Sequence, residues 1–279
     1  MSEPFGARLR QAMDKRGPLC VGIDPHAALL EKWGLPDDPV GLATFGDTVI
    51  EAVGDLAAVV KPQSAFFERH GSAGIAVLER LIRLAGEAGA LVLLDVKRGD
   101  IGSTAAGYAD AYLRDGSPLA ADAITVSPYL GVGALAPVLD TAREYGRGTF
   151  VLALTSNPEA VPVQHARTTD GRTVAQTVLD ELAERNAGAT PMGSYGAVVG
   201  ATVGETGHDL SRLNGPFLAP GVGAQGGTPE GLKAVFGDAL PAVLPAVSRE
   251  ILAAGPTPAA LREATEMTLQ RCVEVLTRR

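Results

Sequence analysis

The chain has 279 residues, 46% hydrophobic and 20% charged, which excludes a disordered or fibrous protein and supplies a core that needs no staples. Lysine and arginine total 24 against 32 aspartates and glutamates, a net charge of −8, so no nucleic-acid or membrane partner is expected. Cys20 and Cys272 stand almost a chain length apart and fit neither a disulfide framework nor a zinc spacing. No apolar run approaches the ~20 residues of a membrane span, and residues 1–16 lack an apolar signal core, so a cytoplasmic protein is expected.

In chain order, the first apolar run is LCVGID, residues 19–24. Seven more follow at 57–61, 91–97, 123–127, 149–155, 197–201, 216–220 and 242–248. LVLLDV and FVLAL are apolar on consecutive residues, the pattern of parallel strands buried on both faces. Amphipathic stretches lie between the runs. Residues 75–88 carry Val77, Leu78, Leu81, Ile82 and Ala85 at helical spacing before Gly89. Residues 132–145 and 174–186 repeat the pattern, and 261–275 form a long closing helix after Pro256 and Pro258.

Eightfold alternation of strand and helix predicts an α/β fold, a (β/α)8 TIM barrel forming one domain over residues 1–279. The alternative is a doubly wound open sheet, disfavoured because no Gly-rich dinucleotide fingerprint follows LCVGID. Residues 156–173, with Pro158, Pro162 and Gly171, are expected to be a polar loop without structure of its own, a candidate lid.

Barrel chemistry sits where strands end. The runs end on Asp24, on Lys61, on Asp95 and Lys97 with Asp100 beyond, and on Ser127. Charges finishing successive buried strands are costly unless paired. Asp95 and Lys97 are two residues apart on a strand and share a face, while Leu94 and Val96 face the helices. Asp95, Lys97 and Asp100 are expected to converge, with Lys61 as the fourth member. Alternating charges hold the Lys97 ammonium fixed and protonated, suited to delivering a proton to carbon. The alternative is a structural ion-pair network at the rim. Asp24 reads equally as a ligand-binding carboxylate or as the cap of a following helix that takes Pro25 in its first turn.

The second signal is PGVGAQGG, residues 220–227, whose glycines let backbone N–H groups converge on an anion. A helix is expected to start at Thr228, and Arg249 follows the eighth run. Loops after strands seven and eight are the usual phosphate cradle of barrels. The alternative is a plain Gly-rich turn. His26, His70, His165 and His208 show no metal-ligand spacing and read as surface or loop residues. Trp33 reads as a packing residue.

These motifs together resemble the orotidine 5′-phosphate decarboxylase family. The resemblance rests on VGIDP, VVKPQ, the Asp-x-Lys-x-x-Asp of residues 95–100, TVSPYLG and PGVGAQGG, in that order. Extra residues around 33–40 and 156–173 resemble the longer bacterial variant. Ser248 stands before Arg249 where shorter members tend to carry Gly. The resemblance implies loss of CO2 from orotidine 5′-monophosphate to give UMP in de novo pyrimidine synthesis, with no cofactor and no metal. It implies Lys97 as proton donor to C6, Asp95 against the leaving carboxylate, and Asp24 and Lys61 at the ribose hydroxyls. It places Ser127 at the pyrimidine, Gln225 between base and phosphate, and Gly223, Gly226 and Arg249 on phosphate. It also implies a homodimer with shared sites, Asp100 and Thr104 reaching into the partner's site.

Competing readings are a Mg2+-dependent sugar-phosphate lyase, which would carry a carboxylate where Lys61 stands, a Schiff-base aldolase using Lys97, and a non-catalytic sensor of phosphorylated ligands. A Schiff-base lysine must be neutral, and flanking carboxylates oppose that.

Overall fold

The computed structural model describes residues 3–276. The eight expected strands are present: β1 Cys20–Ile23, β2 Val59–Pro62, β3 Leu91–Arg98, β4 Ala123–Val126, β5 Gly148–Leu154, β6 Tyr195–Val199, β7 Phe217–Pro220 and β8 Val243–Val247. Each pairs in parallel with the next, and β1 pairs with β8 through Cys20 to Ala246 and Val21 to Val247. The sheet is therefore a closed barrel, and the open-sheet alternative falls.

The described residues also form twelve α-helices: α1 Phe5–Arg16, α2 Ala27–Lys32, α3 Pro39–Val53, α4 Ala65–Glu68, α5 Gly71–Glu87, α6 Gly102–Leu113, α7 Ala136–Glu144, α8 Val161–Gln164, α9 Val174–Arg185, α10 Leu232–Phe236, α11 Arg249–Leu252 and α12 Pro258–Leu276. In α5, Leu78, Leu81, Ile82 and Ala85 are buried, the face its periodicity marks. Asp38 caps α3, its Oδ1 accepting the N–H groups of Val40 and Gly41 at 2.9 Å each, ahead of Pro39.

Two apolar layers result. The outer one joins strands to helices and includes Leu94, Val96, Ile124 and Val151. The inner one fills the barrel with Cys20, Val59, Leu93, Phe150, Leu218 and Leu244, and α1 closes its floor with Phe5, Leu9 and Met13. Phe5 meets Phe150 edge to face, and a Cβ on Gly148 would strike the Phe5 ring. Both cysteines are buried and unpaired, and burial pushes each thiol up to about 12. Among the described residues no helix is long and apolar enough to cross a membrane.

Three local expectations are corrected. Residues 132–145 are not one α-helix: Val132–Leu135 is a 3-10 turn, and α7 starts at Ala136 because Pro137 has no N–H to continue the ladder backwards. Residues 156–173 are not a structureless loop. They hold a 3-10 turn at Pro158–Ala160, helix α8 and a bridge between Arg167 and Thr173. Gln164 ties this segment to Thr155, its Oε1 accepting the backbone N–H at 2.8 Å and its Nε2 donating to the hydroxyl at 2.9 Å. Pro25 precedes α2, which starts at Ala27 with His26 as its cap residue, so Asp24 is no helix cap.

Candidate active site

The strand ends meet at a cavity of about 420 Å3 at the C-terminal mouth of the barrel. β1 leads into Asp24, β2 carries Lys61, and β3 carries Asp95. The loop after β7 brings Gln225, and α11 begins with Arg249; all five line the cavity.

Asp95 is its electrostatic centre and is 7% exposed. Its Oδ2 accepts from Lys61 Nζ at 3.0 Å, and its Oδ1 accepts from Lys97 Nζ at 2.6 Å and from the Thr125 hydroxyl at 2.7 Å. Burial alone would raise the carboxyl's pKa, but Lys61, then Lys97 and Thr125, hold it well below the usual carboxylate range. Lys61 is equally buried. Burial disfavours its ammonium, yet Asp95 and then Asp24 outweigh that and raise its pKa. Both groups are therefore ionised, a buried pair whose charges are compensated inside the cavity.

Lys97 reaches Asp95 from the rim, its side chain 46% exposed. Its backbone lies in the left-handed region at φ 45°, rare for a residue with a Cβ. The register explains this: Leu94 pairs with Ile124 but Arg98 pairs with Val126, so four steps along β3 match two along β4. This bulge lets Asp95 and Lys97 meet.

Other expected residues lie elsewhere in this chain. Asp100 does not join Lys97: past Gly99 the chain turns outward, and the Asp100 carboxylate accepts the Ile101 N–H at 2.8 Å. Thr104 is exposed on α6. Ser127 stands beside β3, its N–H donated to the Arg98 carbonyl at 2.8 Å, outside the cavity lining. The glycine loop folds on itself. Gly223 donates its N–H to the Gly227 carbonyl at 2.7 Å, and Gly226 to that of Gly223 at 2.8 Å. Gly221, Val222, Ala224 and Gln225 form the cavity wall instead. The helix expected from Thr228 starts only at Leu232, because the Thr228 hydroxyl takes the Gly231 N–H in a separate turn.

Three polar groups face the cavity unsatisfied. The Arg249 side chain makes no ion pair or hydrogen bond among the described residues, and the residue is exposed. Asp24 Oδ1 and Ser248 Oγ are buried without partners. Unpaired buried polar atoms in a cavity wall are donors and acceptors held for a ligand.

Sequence reasoning missed Gln63, whose Oε1 lies 3.4 Å from Lys61 Nζ, and the edge-to-face pair His26 and Phe66, with ring centroids 4.3 Å apart. VVKPQ already carried Gln63, but its place in the wall comes from the bridge between Gln63 and Asp95. Thr125 was hidden inside an apolar run.

Comparison with known proteins gives the family. The sequence profile of the orotidine 5′-phosphate decarboxylase / HUMPS family matches residues 17–264. The orotidine 5′-phosphate decarboxylase of Salinispora arenicola is 67% identical over 275 residues, 99% of each chain. That of Streptomyces coelicolor is 62% identical over 265 residues, 95% of each chain. A crystal structure from Streptomyces avermitilis, provisionally named orotidine 5′-phosphate decarboxylase, superposes with a TM-score of 0.97 at 59% identity, covering 99% of this chain and 97% of that one. With the matched span running from before β1 into α12, the chain belongs to the orotidine 5′-phosphate decarboxylase / HUMPS family.

Proposed function

We propose that the chain decarboxylates orotidine 5′-monophosphate to UMP without metal or cofactor, with Lys97 protonating C6. The single observation that carries this is one buried carboxylate in the cavity wall, Asp95, held ionised between Lys61 beside it and Lys97 at the rim. The relatives above bear the same activity in their names.

Decarboxylation leaves an electron pair on a carbon that has no ready electron sink. A fixed ammonium stabilises that charge and then supplies the proton. Lys97 is held 2.6 Å from Asp95 and opens to the rim, so it can do both. The substrate carboxylate would lie against Asp95, and its departure as CO2 relieves the repulsion. Asp24 and Lys61 bind the ribose hydroxyls, and Ser127 the pyrimidine edge. Gln225 spans base and phosphate, with the 223–226 turn and Arg249 at the phosphate. The phosphate lies far from the bond that breaks, so its binding energy serves to order the site. An enzyme lowers such a barrier by ~8–23 kcal/mol, and the upper end is needed here.

Lys61 supports the metal-free reading, because an ammonium in the cavity wall repels a divalent cation. The outward turn of Asp100 and Thr104 supports shared sites in a homodimer. Beside them Ile101, Tyr129 and Leu130 are 60%, 80% and 53% exposed, an apolar surface suited to a second copy. The test follows the absorbance of orotidine 5′-monophosphate with and without EDTA. Conversion to UMP at equal rates is expected; no conversion, or conversion abolished by EDTA, overturns the reading.

A further inference from the structure

The left-handed backbone of Lys97 needs something to hold it. A ring of contacts runs around it. The Asp95 carbonyl accepts the Ser64 N–H at 3.2 Å, and the Ser64 hydroxyl donates to Glu68 Oε1 at 2.6 Å. The same oxygen accepts from the Arg98 guanidinium at 2.6 Å. The ring leaves the chain two residues before Lys97 and returns one residue after it.

Arg98 is fastened through both terminal guanidinium nitrogens, while its Nε is buried without a partner. Beyond Glu68 it donates to the Tyr112 hydroxyl at 3.2 Å and to the Val96 carbonyl at 3.2 Å. Its guanidinium carbon lies 5.6 Å from the Tyr108 ring centroid and 5.8 Å from that of Tyr112. Its own carbonyl takes the Ser127 N–H, so β3 rejoins β4 there. None of these groups lines the cavity.

We propose that Arg98, anchored by Glu68, is a positioning residue that holds Lys97 in its left-handed conformation and so keeps its ammonium on Asp95. The inference deepens the decarboxylase reading and rests on it for its kinetic test. Lysine cannot replace Arg98, because one ammonium cannot serve Glu68, Tyr112 and Val96 from fixed directions while stacking between two rings. Glutamine can largely replace Glu68, since its carbonyl oxygen still accepts from Arg98 and Ser64.

The experiment compares R98M, R98K, E68A and E68Q by kcat, by UMP affinity and by melting temperature. For R98M, R98K and E68A, kcat is expected to fall at least ~10-fold with UMP affinity within ~3-fold. E68Q is expected to keep at least about a third of kcat. An unchanged kcat in R98M overturns the proposal, as does a parallel loss of kcat, UMP affinity and melting temperature in all four variants. A crystal structure of R98M provides a readout independent of turnover. The expected result is Lys97 outside the positive-φ region and its ammonium off Asp95; an intact Lys97–Asp95 contact overturns the proposal even if the chain decarboxylates nothing.

Discussion

Thr125 takes the backbone N–H of Lys97 on its hydroxyl at 2.9 Å and gives its own proton to Asp95 at 2.7 Å. One buried side chain on β4 thus ties both the backbone and the counter-ion of Lys97. Thr125→Val keeps the shape and removes both bonds. It should lower stability by about 1–3 kcal/mol and kcat by roughly tenfold, because it strands a buried N–H and loosens the ion pair. Urea melts and steady-state kinetics check this; a fully active variant would remove Thr125 from the account.

Lys97→Ala should leave a folded protein that binds UMP, since the side chain is half-exposed and packs against little. Turnover should fall by at least ~10³-fold with loss of the proton donor. Single-turnover decarboxylation and calorimetric UMP titration separate the two effects.

The proposed shared sites make a specific arithmetic. Inactive Asp95→Asn and inactive Asp100→Ala subunits, mixed and allowed to exchange, form heterodimers in which one site carries neither change. Random exchange makes half the dimers mixed, so activity should recover to about a quarter of wild type. No recovery in verified heterodimers means each site is built from one chain.

Under the proposed role of Arg249 at the phosphate, Arg249→Ala removes a charge-assisted contact worth about 1.5–3 kcal/mol, and a ~10- to 150-fold loss in kcat/KM for the nucleotide is expected. Orotidine without its phosphate should be used almost equally by both proteins. Equal losses on the two substrates would put Arg249 outside the phosphate site and make Ser248 the residue to test next.

Stability should carry the signature of Asp95 in acid. Its carboxyl is held below the ordinary range in the folded chain, so unfolding takes up a proton in acid and stability rises with pH there. The contribution is complete above the unfolded value near ~3.9 and is lost as pH falls through the lower folded value. Asp95→Asn should show a flatter dependence of urea midpoint on pH below ~4; an unchanged slope would mean that other carboxylates set the acid limb.

The barrel was legible because strands buried on both faces leave consecutive apolar residues, and charges closing LVLLDVK stand out against them. Strand order placed Lys61, Asp95 and Arg249 at the barrel mouth, whereas Asp24 read equally as a helix cap and Gln225 entered only through the family resemblance. Thr125 could not, since a β-branched residue in a strand looks like filler until its hydroxyl has a partner across the sheet. Gln63 and Phe66 follow Pro62, where periodicity stops. The turn of the glycine loop was hidden because composition shows where N–H groups are free to go but not which carbonyls claim them. Within one chain Asp100 stands apart from Lys97 for a geometric reason: sequence spacing treats the end of β3 as straight, whereas the chain bulges and turns after it.

The floor helix α1 also orders biosynthesis. Phe5, Leu9 and Met13 leave the ribosome before any strand exists, yet the inner cluster that receives them includes Leu244 of β8. Until the eighth strand is made, the first helix has only part of its socket and must wait with apolar side chains uncovered. The nascent chain is therefore most exposed to aggregation just before synthesis ends. A bulky fusion at the amino terminus would press on a helix whose socket is complete only once β8 is in place.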